Sequence, residues 1–491
     1  MVAARDIQAG ETVMEDLPLT YGPMTSVQVE PLCLGCYTCL PPDGEPRVTC
    51  VCGWPMCSDT CGQQPLHRDL ECQLFCDRNI KIDLDNPDNL IAYNCISPIR
   101  ALLLRKRDPE RFSMIWGLMS HNEARRKEDY WIKKHQPIIK FIRETLGLTE
   151  FSEDDIDTVL GIFLVNDFEI YSNSSVSSND GVRGLYQIAS IPNHDCIANT
   201  NHQFASLQDG FRMIVKAARD IKKGEEITHS YVEAQEPFLT RQELLNMGKF
   251  FHCQCSRCSD PSELGTYSSA LKCPGCKSAV ITTNVKDLKA DWECKNAKCK
   301  RKFQTSKIVN VVGAIKEKAE KLEYNKDFPD ECGVDAHEAF LKKYSPILHS
   351  NHVTLIRAKY NLAKMYGRMA GYEANNLTEK QLVRKQELCE EVLSVFDVIM
   401  PGKTRMRGVM LYELHLPHVM LANRQLQRGP GGGGDPAKIK AGLKSGLKCL
   451  KQGMEILKLQ PENSFEAKIV AGSKDSLVEL ENWVKTITEA L

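Results

Sequence analysis

The stretch IPNHDCIANTNHQF, residues 191 to 204, decides the fold, because its one thiol, Cys196, sits among Asn193, His194 and Asn199, far from any other cysteine. Downstream, FFHCQCSRC (residues 250 to 258) holds Cys253, Cys255 and Cys258 and no fourth thiol. Tetrahedral zinc takes four ligands. Two ligand sets complete the triplet: Cys196 folded back onto it, or His252, which crowds adjacent residues around one ion. The Cys196 fold-back is the favoured set. It ties the loop carrying Asn193 and His194 to the segment carrying Phe251.

At 491 residues the chain is too long for one ordinary core, so two to four domains are expected. A composition of 42% hydrophobic and 26% charged residues is that of a globular protein. The net charge of -1 supplies no overall field for nucleic acid or an anionic membrane, and the first cysteine-rich segment has few Lys and Arg. Nucleic acid is therefore not an expected partner. No apolar run reaches the roughly 18 residues that span a bilayer, and the start MVAARDIQAGETVMEDLPL lacks the basic-then-apolar order of a secretory signal. An intracellular location, nucleus and/or cytoplasm, is expected. In a reducing compartment 21 Cys, 18 of them before residue 300 and mostly close-spaced, point to metal binding instead of disulfides.

Along the chain, residues 1–30 read as short strands around a Gly turn, residues 31–76 as cysteine-rich, and residues 77–165 as mainly helical, with Ser97 as N-cap and Pro98 as first helical residue. Short strands return over 166–240. There FRMIVKAARDIKKGEEITHSY (211 to 231) gives two strands around a KKGEE turn. ARDIKKGEE at 218 to 226 echoes ARDIQAGET at 4 to 12, which reads as shared turn chemistry and not as a repeat array. Beyond residue 306 apolar residues recur at steps of four and three: Leu443, Leu447, Leu450, Met454, Leu457, then Leu477, Leu480, Val484, Ile487, Leu491. Thr378 and Gln381 fit a capping box, with Pro401 and Gly402 as the stop of that helix. GPGGGGDP (429 to 436) reads as a flexible loop between helices. Residues 306–491 are thus expected to be stacked helical hairpins, similar to a tetratricopeptide array without a clean 34-residue period.

Three cysteine groups carry the metal chemistry. The first is Cys33, Cys36, Cys50, Cys52, Cys57, Cys61, His67 and Cys72: eight soft ligands, enough for two structural zincs, with Cys39 and Cys76 to spare. A segment this small and polar needs metal to fold. The second group is the Cys196 set. The third, Cys273, Cys276, Cys294 and Cys299 within residues 241–305, suits a small four-Cys ribbon and a fourth zinc.

In combination these motifs resemble the SET and MYND domain (Smyd) protein lysine methyltransferases, most like the arthropod SmydA branch. The resemblance rests on the order of ligands in the first group, the NHDC loop, GEEITHSY, FFHCQCSRC and the helical C-terminal region. It implies an α+β fold. A SET β-core is split by a MYND zinc finger and a helical insertion, then followed by a post-SET zinc site and an all-α domain. It also implies that the first and third cysteine pairs of the finger share one zinc, while the second pair, His67 and Cys72 share the other. The second pair, Cys50-x-Cys52, is shorter than the usual Cys-x-x-Cys, and four residues instead of three separate His67 from Cys72.

Further implications are S-adenosylmethionine as cofactor and a protein lysine, histone or non-histone, as substrate. Asn166, Asn193 and His194 would contact the cofactor, Phe251 would pack on its adenine, and Tyr231 would stand beside the transferred methyl as the catalytic residue. From the residues alone, Tyr231 also suits a core position, and His194 also suits a hydrogen-bonding role behind the metal. The family's Gly-rich start before ATRDI is missing ahead of MVAARDI, and NHSC-x-PN appears as NHDC-IAN, with Asp195 and Ala198. Weak cofactor binding is the expectation. The rival is a non-catalytic adaptor whose MYND finger binds a proline-containing peptide.

Overall fold

A computed structural model describes residues 1–23, 32–40, 48–81, 91–170, 181–323, 333–428, 435–462 and 464–490. Residues 24–30 of the N-terminal strand region, the Gly-rich run 429–434 and Leu491 lie outside them. Strands form where apolar residues alternate. In β9 (Met213–Ala217, MIVKA) Met213, Val215 and Ala217 are buried while Ile214 and Lys216 turn the other way. It is the centre of an antiparallel sheet, with β1 (Thr12–Asp16) on one side and β8 (Thr200–Phe204) on the other. A second antiparallel sheet runs β2 (Pro18–Pro23), β6 (Val182–Tyr186), β5 (Asp167–Ile170). Tyr37, Ile170, Val182, Tyr186, Phe204, Met213 and Val215 share one core with residues of both sheets.

The two echoing segments pair with each other. Ile7 and Ile221 exchange both backbone hydrogen bonds at 2.9 Å. Asp6 accepts from the Lys223 N–H (2.9 Å) and Asp220 from the Ala9 N–H (2.8 Å). Within each half a glutamate accepts from the amide three residues back, Glu11 from Gln8 and Glu225 from Lys222. Gly10 and Gly224 both take φ near +90° (+90 and +84), the left-handed turn that glycine allows. Shared turn chemistry is what the sequence predicts; the local two-fold clasp is what the fold makes of it.

The finger does not stand alone. Beside its two-residue strands β3 (Val48–Thr49) and β4 (Pro55–Met56), Trp54 stacks on Phe75 (6.0 Å) and meets Tyr93 edge-on (5.0 Å). Tyr93 lies on the Ile91–Arg107 helix, and its hydroxyl also bonds both the N–H and C=O of Leu32 at 2.9 Å. Finger and insertion therefore share one core. This corrects the expected helix start: the helix runs from Ile91 through Pro98, and Ser97 is no N-cap. A mid-helix proline costs about 3 kcal/mol. Burial of Ala92, Tyr93, Ile96 and Ile99 outweighs that cost and extends the helix N-terminally.

Farther on, the helix Glu153–Asn166 leads directly into β5, and the helix Phe238–Lys249 follows Pro237, whose extended backbone sets its start. The sequence boundary at residue 240 thus falls inside a helix. The cysteine ribbon is a four-stranded antiparallel sheet, β11 (Leu271–Lys272), β12 (Ala279–Thr282), β13 (Trp292–Cys294) and β14 (Lys302–Phe303). Helices follow from Thr305 to Ala490. The Thr378–Gln381 capping box opens Glu379–Ile399, which buries Leu382, Cys389, Val392 and Phe396. Arg405–Gln427 and Pro436–Leu457 come next in the chain, the latter burying Leu443, Leu450, Met454 and Leu457.

A seam joins these helices to the sheets. Lys403 donates its N–H to Ala218 O (2.6 Å) and accepts from Asn201 Nδ2 (3.2 Å), while Lys216 Nζ reaches Leu459 O (2.7 Å). Between the two sides lies a cavity of about 290 Å³ lined by His202, Ile214, Lys216, Met400, Lys403 and Arg405 among others.

Candidate active site and metal centres

Cys196 does fold back. Its Sγ lies 3.5 Å from Cys258 Sγ and 3.9 Å from Cys253 Sγ, and the four sulfurs of Cys196, Cys253, Cys255 and Cys258 fall within 4.8 Å of one another. His252 has no place in that group. Tetrahedral zinc with Zn–S bonds near 2.3 Å requires S···S edges of about 3.8 Å, so the cage fits that ion. Its surroundings fit too. Four thiolates around a divalent cation leave two surplus negative charges, and the fully buried Arg241 and Arg257 lie beside them with one acid between, Glu263 (2.9 and 3.0 Å). Burial raises the Glu263 pKa, but Arg241 and Arg257 outweigh it and hold the group down to about 2. Gln242 clamps the cage from the same helix: its amide accepts from Cys253 N and donates to Cys253 O, both at 2.9 Å.

The finger's ligands divide as Cys33, Cys36, Cys57, Cys61 and Cys50, Cys52, His67, Cys72. Cys39 and Cys76 take no part in either group. His67 donates from Nδ1 to Glu71 (2.8 Å), which leaves Nε2 facing Cys50 and Cys52 as the free donor to a metal. Arg100 of the Ile91–Arg107 helix grips Glu71 in turn and bonds the Tyr37 hydroxyl at 2.6 Å. The ribbon brings together Cys273, Cys276, Cys294 and Cys299, so among the described residues four groups have the geometry to hold an ion.

The tie at Cys196 shapes a site. β7 (Asn193–His194) pairs in parallel with β10 (Thr228–His229), which sets the NHDC loop alongside the segment ending in Tyr231. The Tyr231 N–H donates to His194 Nδ1 (3.0 Å) and the Tyr231 hydroxyl to Pro192 O (2.7 Å). His194 Nε2 in turn meets Cys196 Sγ at 3.3 Å. Burial pushes the His194 pKa down to about 4, so the ring is neutral, accepting at Nδ1 and donating at Nε2. The Tyr231, His194 and Phe251 rings stand 5.3 to 6.5 Å apart and form one aromatic wall.

Of the five expected cofactor residues, His194, Tyr231 and Phe251 converge. The Asn193 amide donates to Glu226 (2.7 Å) on the exposed side, and the Asn166 amide closes the Glu153–Asn166 helix by donating to Ile162 O (2.8 Å) and Met119 O (2.7 Å). His194 takes the hydrogen-bonding role behind the sulfur cage that the sequence left open. Sequence reading missed Glu71, Gln242, Glu263 and Lys249. The spacing of Glu71 four residues after His67 is a usable helical signal, whereas Lys249 carries none.

Comparison with known proteins agrees with this geometry. Residues 1–232 match the SET domain family model. Over 419 residues, 84% of this chain and 85% of the relative, it is 28% identical to SET domain-containing protein SmydA-8 isoform A of Drosophila melanogaster. It is 23% identical over 436 residues to the histone-lysine N-methyltransferase ASHR1 of Arabidopsis thaliana, covering 84% of this chain and 83% of that one. A SET and MYND domain-containing protein of Dictyostelium discoideum is 35% identical over 92 residues, 17% of this chain and 23% of its own. The fold around Tyr231 is a SET domain. With the two-site finger inserted in it, the chain is similar to SET and MYND domain proteins.

Proposed function

We propose that this chain is an S-adenosylmethionine-dependent protein-lysine N-methyltransferase with four structural zincs. The observation that carries the proposal is the double anchoring of Tyr231, by its N–H to His194 Nδ1 and by its hydroxyl to Pro192 O, on a loop held by the Cys196 cage. The relatives named histone-lysine N-methyltransferases support the reaction class. The site fits the cofactor: the face of one aromatic ring, Phe251, suits a purine, and a tyrosine hydroxyl and main-chain oxygens suit a sulfonium and its polarised methyl. His194, Phe251, Tyr231, Asn166 and Asn193 would hold it. When bound it supplies an electrophilic methyl group on sulfur.

The protein's task is alignment, not acid-base catalysis, because methyl transfer is an in-line displacement. Tyr231 orients the incoming amine through its hydroxyl oxygen. Pro192 O fixes that hydroxyl, and the aromatic wall excludes water. The helices after residue 305 act as a tetratricopeptide-like partner surface, the MYND finger as a site for a proline-containing peptide, and the protein works in the nucleus and/or cytoplasm. Among the described residues no helix is long and apolar enough to cross a membrane. Calorimetric titration of the full chain with S-adenosylmethionine, followed by labelled-methyl transfer to a protein mixture, tests the reading. Absence of both binding and transfer would refute it. A second reading, a weakly catalytic adaptor, is favoured by the engagement of both Asn amides inside the protein; it requires that Tyr231→Phe leave cellular function intact.

A further inference from the structure

The helix Phe238–Lys249 ends at Phe250, a left-handed residue (φ +59°) that reverses the chain directly after Lys249. The half-buried Lys249 side chain runs into the site. Its Nζ donates to Val165 O at 2.7 Å and lies 5.8 Å from the centre of the Tyr231 ring. Val165 precedes Asn166, and Lys249 stands two residues before Phe251. A primary amine of this chain thus sits between Val165 O and the Tyr231 ring, beside the tyrosine assigned to orient an acceptor amine.

We propose that Lys249 is itself a methyl acceptor, modified in cis. This rests on the methyltransferase reading above. The neutral Lys249 amine, its proton given to water, donates its lone pair to the methyl carbon. The N–C bond forms as the C–S bond breaks, and the bonding pair returns to sulfur, so the sulfonium leaves as the neutral thioether S-adenosylhomocysteine. The product is a secondary ammonium that carries the positive charge given up by sulfur, and it releases a proton to water. Two features of the site favour the step. Burial lowers the Lys249 pKa from its ordinary value, opposed by the charge of Asp167, which enlarges the neutral fraction able to attack. Tethering also raises the effective concentration of this amine far above that of any free lysine. A trimmed or occupied Lys249 then governs access of other lysines to Tyr231.

The test uses the full-length zinc-loaded chain with methyl-labelled S-adenosylmethionine, and mass-spectrometric mapping of the labelled residue. Label on Lys249, at a rate independent of protein concentration and lost in Tyr231→Phe, is the expected result. A rate proportional to protein concentration, or equal labelling in Tyr231→Phe, overturns the proposal as transfer between molecules or spontaneous alkylation. Label on other lysines or added proteins but not on Lys249 overturns it while the methyltransferase reading stands; no cofactor binding at all removes both. A binding readout is independent of turnover. Removing the amine with Lys249→Met should shift the ratio of affinities toward cationic S-adenosylmethionine over neutral S-adenosylhomocysteine by roughly tenfold, the scale of one partly screened charge repulsion. An unchanged ratio when the titration is repeated at a pH low enough to protonate the amine places it away from the sulfur and overturns the proposal.

Discussion

Gly402→Ala tests the seam between the SET sheets and the helices. Gly402 has φ +85°, and a Cβ there would lie 2.1 Å from Ala218 O and 2.9 Å from its carbonyl carbon. The left-handed conformation alone costs an alanine about 1–2 kcal/mol. The overlap adds to this, because real Cβ contacts stay beyond 3.0 Å, so the two segments must part by roughly an ångström. That separation disrupts the bond from Lys403 N–H to Ala218 O and the neighbouring one from Asn201 to Lys403 O, each worth about 1 kcal/mol. The expected loss is roughly 3–4 kcal/mol in urea unfolding of the zinc-loaded protein, with new proteolytic cleavage at the seam. Gly371→Ala is the control: its φ is +81° but nothing lies within 4 Å of the added carbon, so only the conformational cost of about 1–2 kcal/mol applies. Equal losses in the two variants would refute the steric account of the seam.

Cys196→Ser should lower the zinc content by one, by emptying one of the four groups among the described residues, and abolish cofactor binding, read by elemental mass spectrometry and calorimetry. Full retention of metal would show that three thiols suffice. Glu71→Gln leaves the fully buried Arg100 without its carboxylate, which is expected to cost about 3–5 kcal/mol; a shift in the urea midpoint equivalent to under about 1 kcal/mol would contradict the pairing. His229 is buried, and burial followed by repulsion from His202 brings its pKa to about 3 from an ordinary 6.5. The folded value is the lower one, so the unfolded chain binds the proton first. Its stabilisation is complete above pH 6.5 and declines as pH falls toward about 3, by on the order of a few kcal/mol. Urea midpoints measured over that window, with zinc retention checked, should fall less steeply for His229→Gln.

The sulfur cages were legible because ligand type and spacing carry their own geometry. Cys253, Cys255 and Cys258 needed a fourth donor, and Cys196, an isolated thiol set among Asn193, His194 and Asn199, could supply it. Helices such as Glu379–Ile399 were legible from local signals, a cap at Thr378 and a stop at Pro401–Gly402. What escaped depended on tertiary contacts. The start of the Ile91–Arg107 helix is set by burial of Tyr93 against Trp54 in the finger, which no local propensity at Ser97–Pro98 records. Lys249 looks like an ordinary basic C-terminal helix residue, suited to the dipole, until folding brings Val165 and Tyr231 to it. Asn193 and Asn166 were expected to contact the cofactor, whereas Glu226 and the helix end compete for their amides.

The clasp between residues 4–12 and 218–226 also bears on how such a chain accommodates foreign lengths. Once its matched halves hold, everything between them is a closed excursion, and lengthening an excursion is inexpensive: each doubling adds only about 0.6 kcal/mol of closure entropy. The β-core can therefore act as host to a metal knuckle and a helical bundle spliced into one hairpin-like opening, with Tyr231 left only a few residues beyond its far edge.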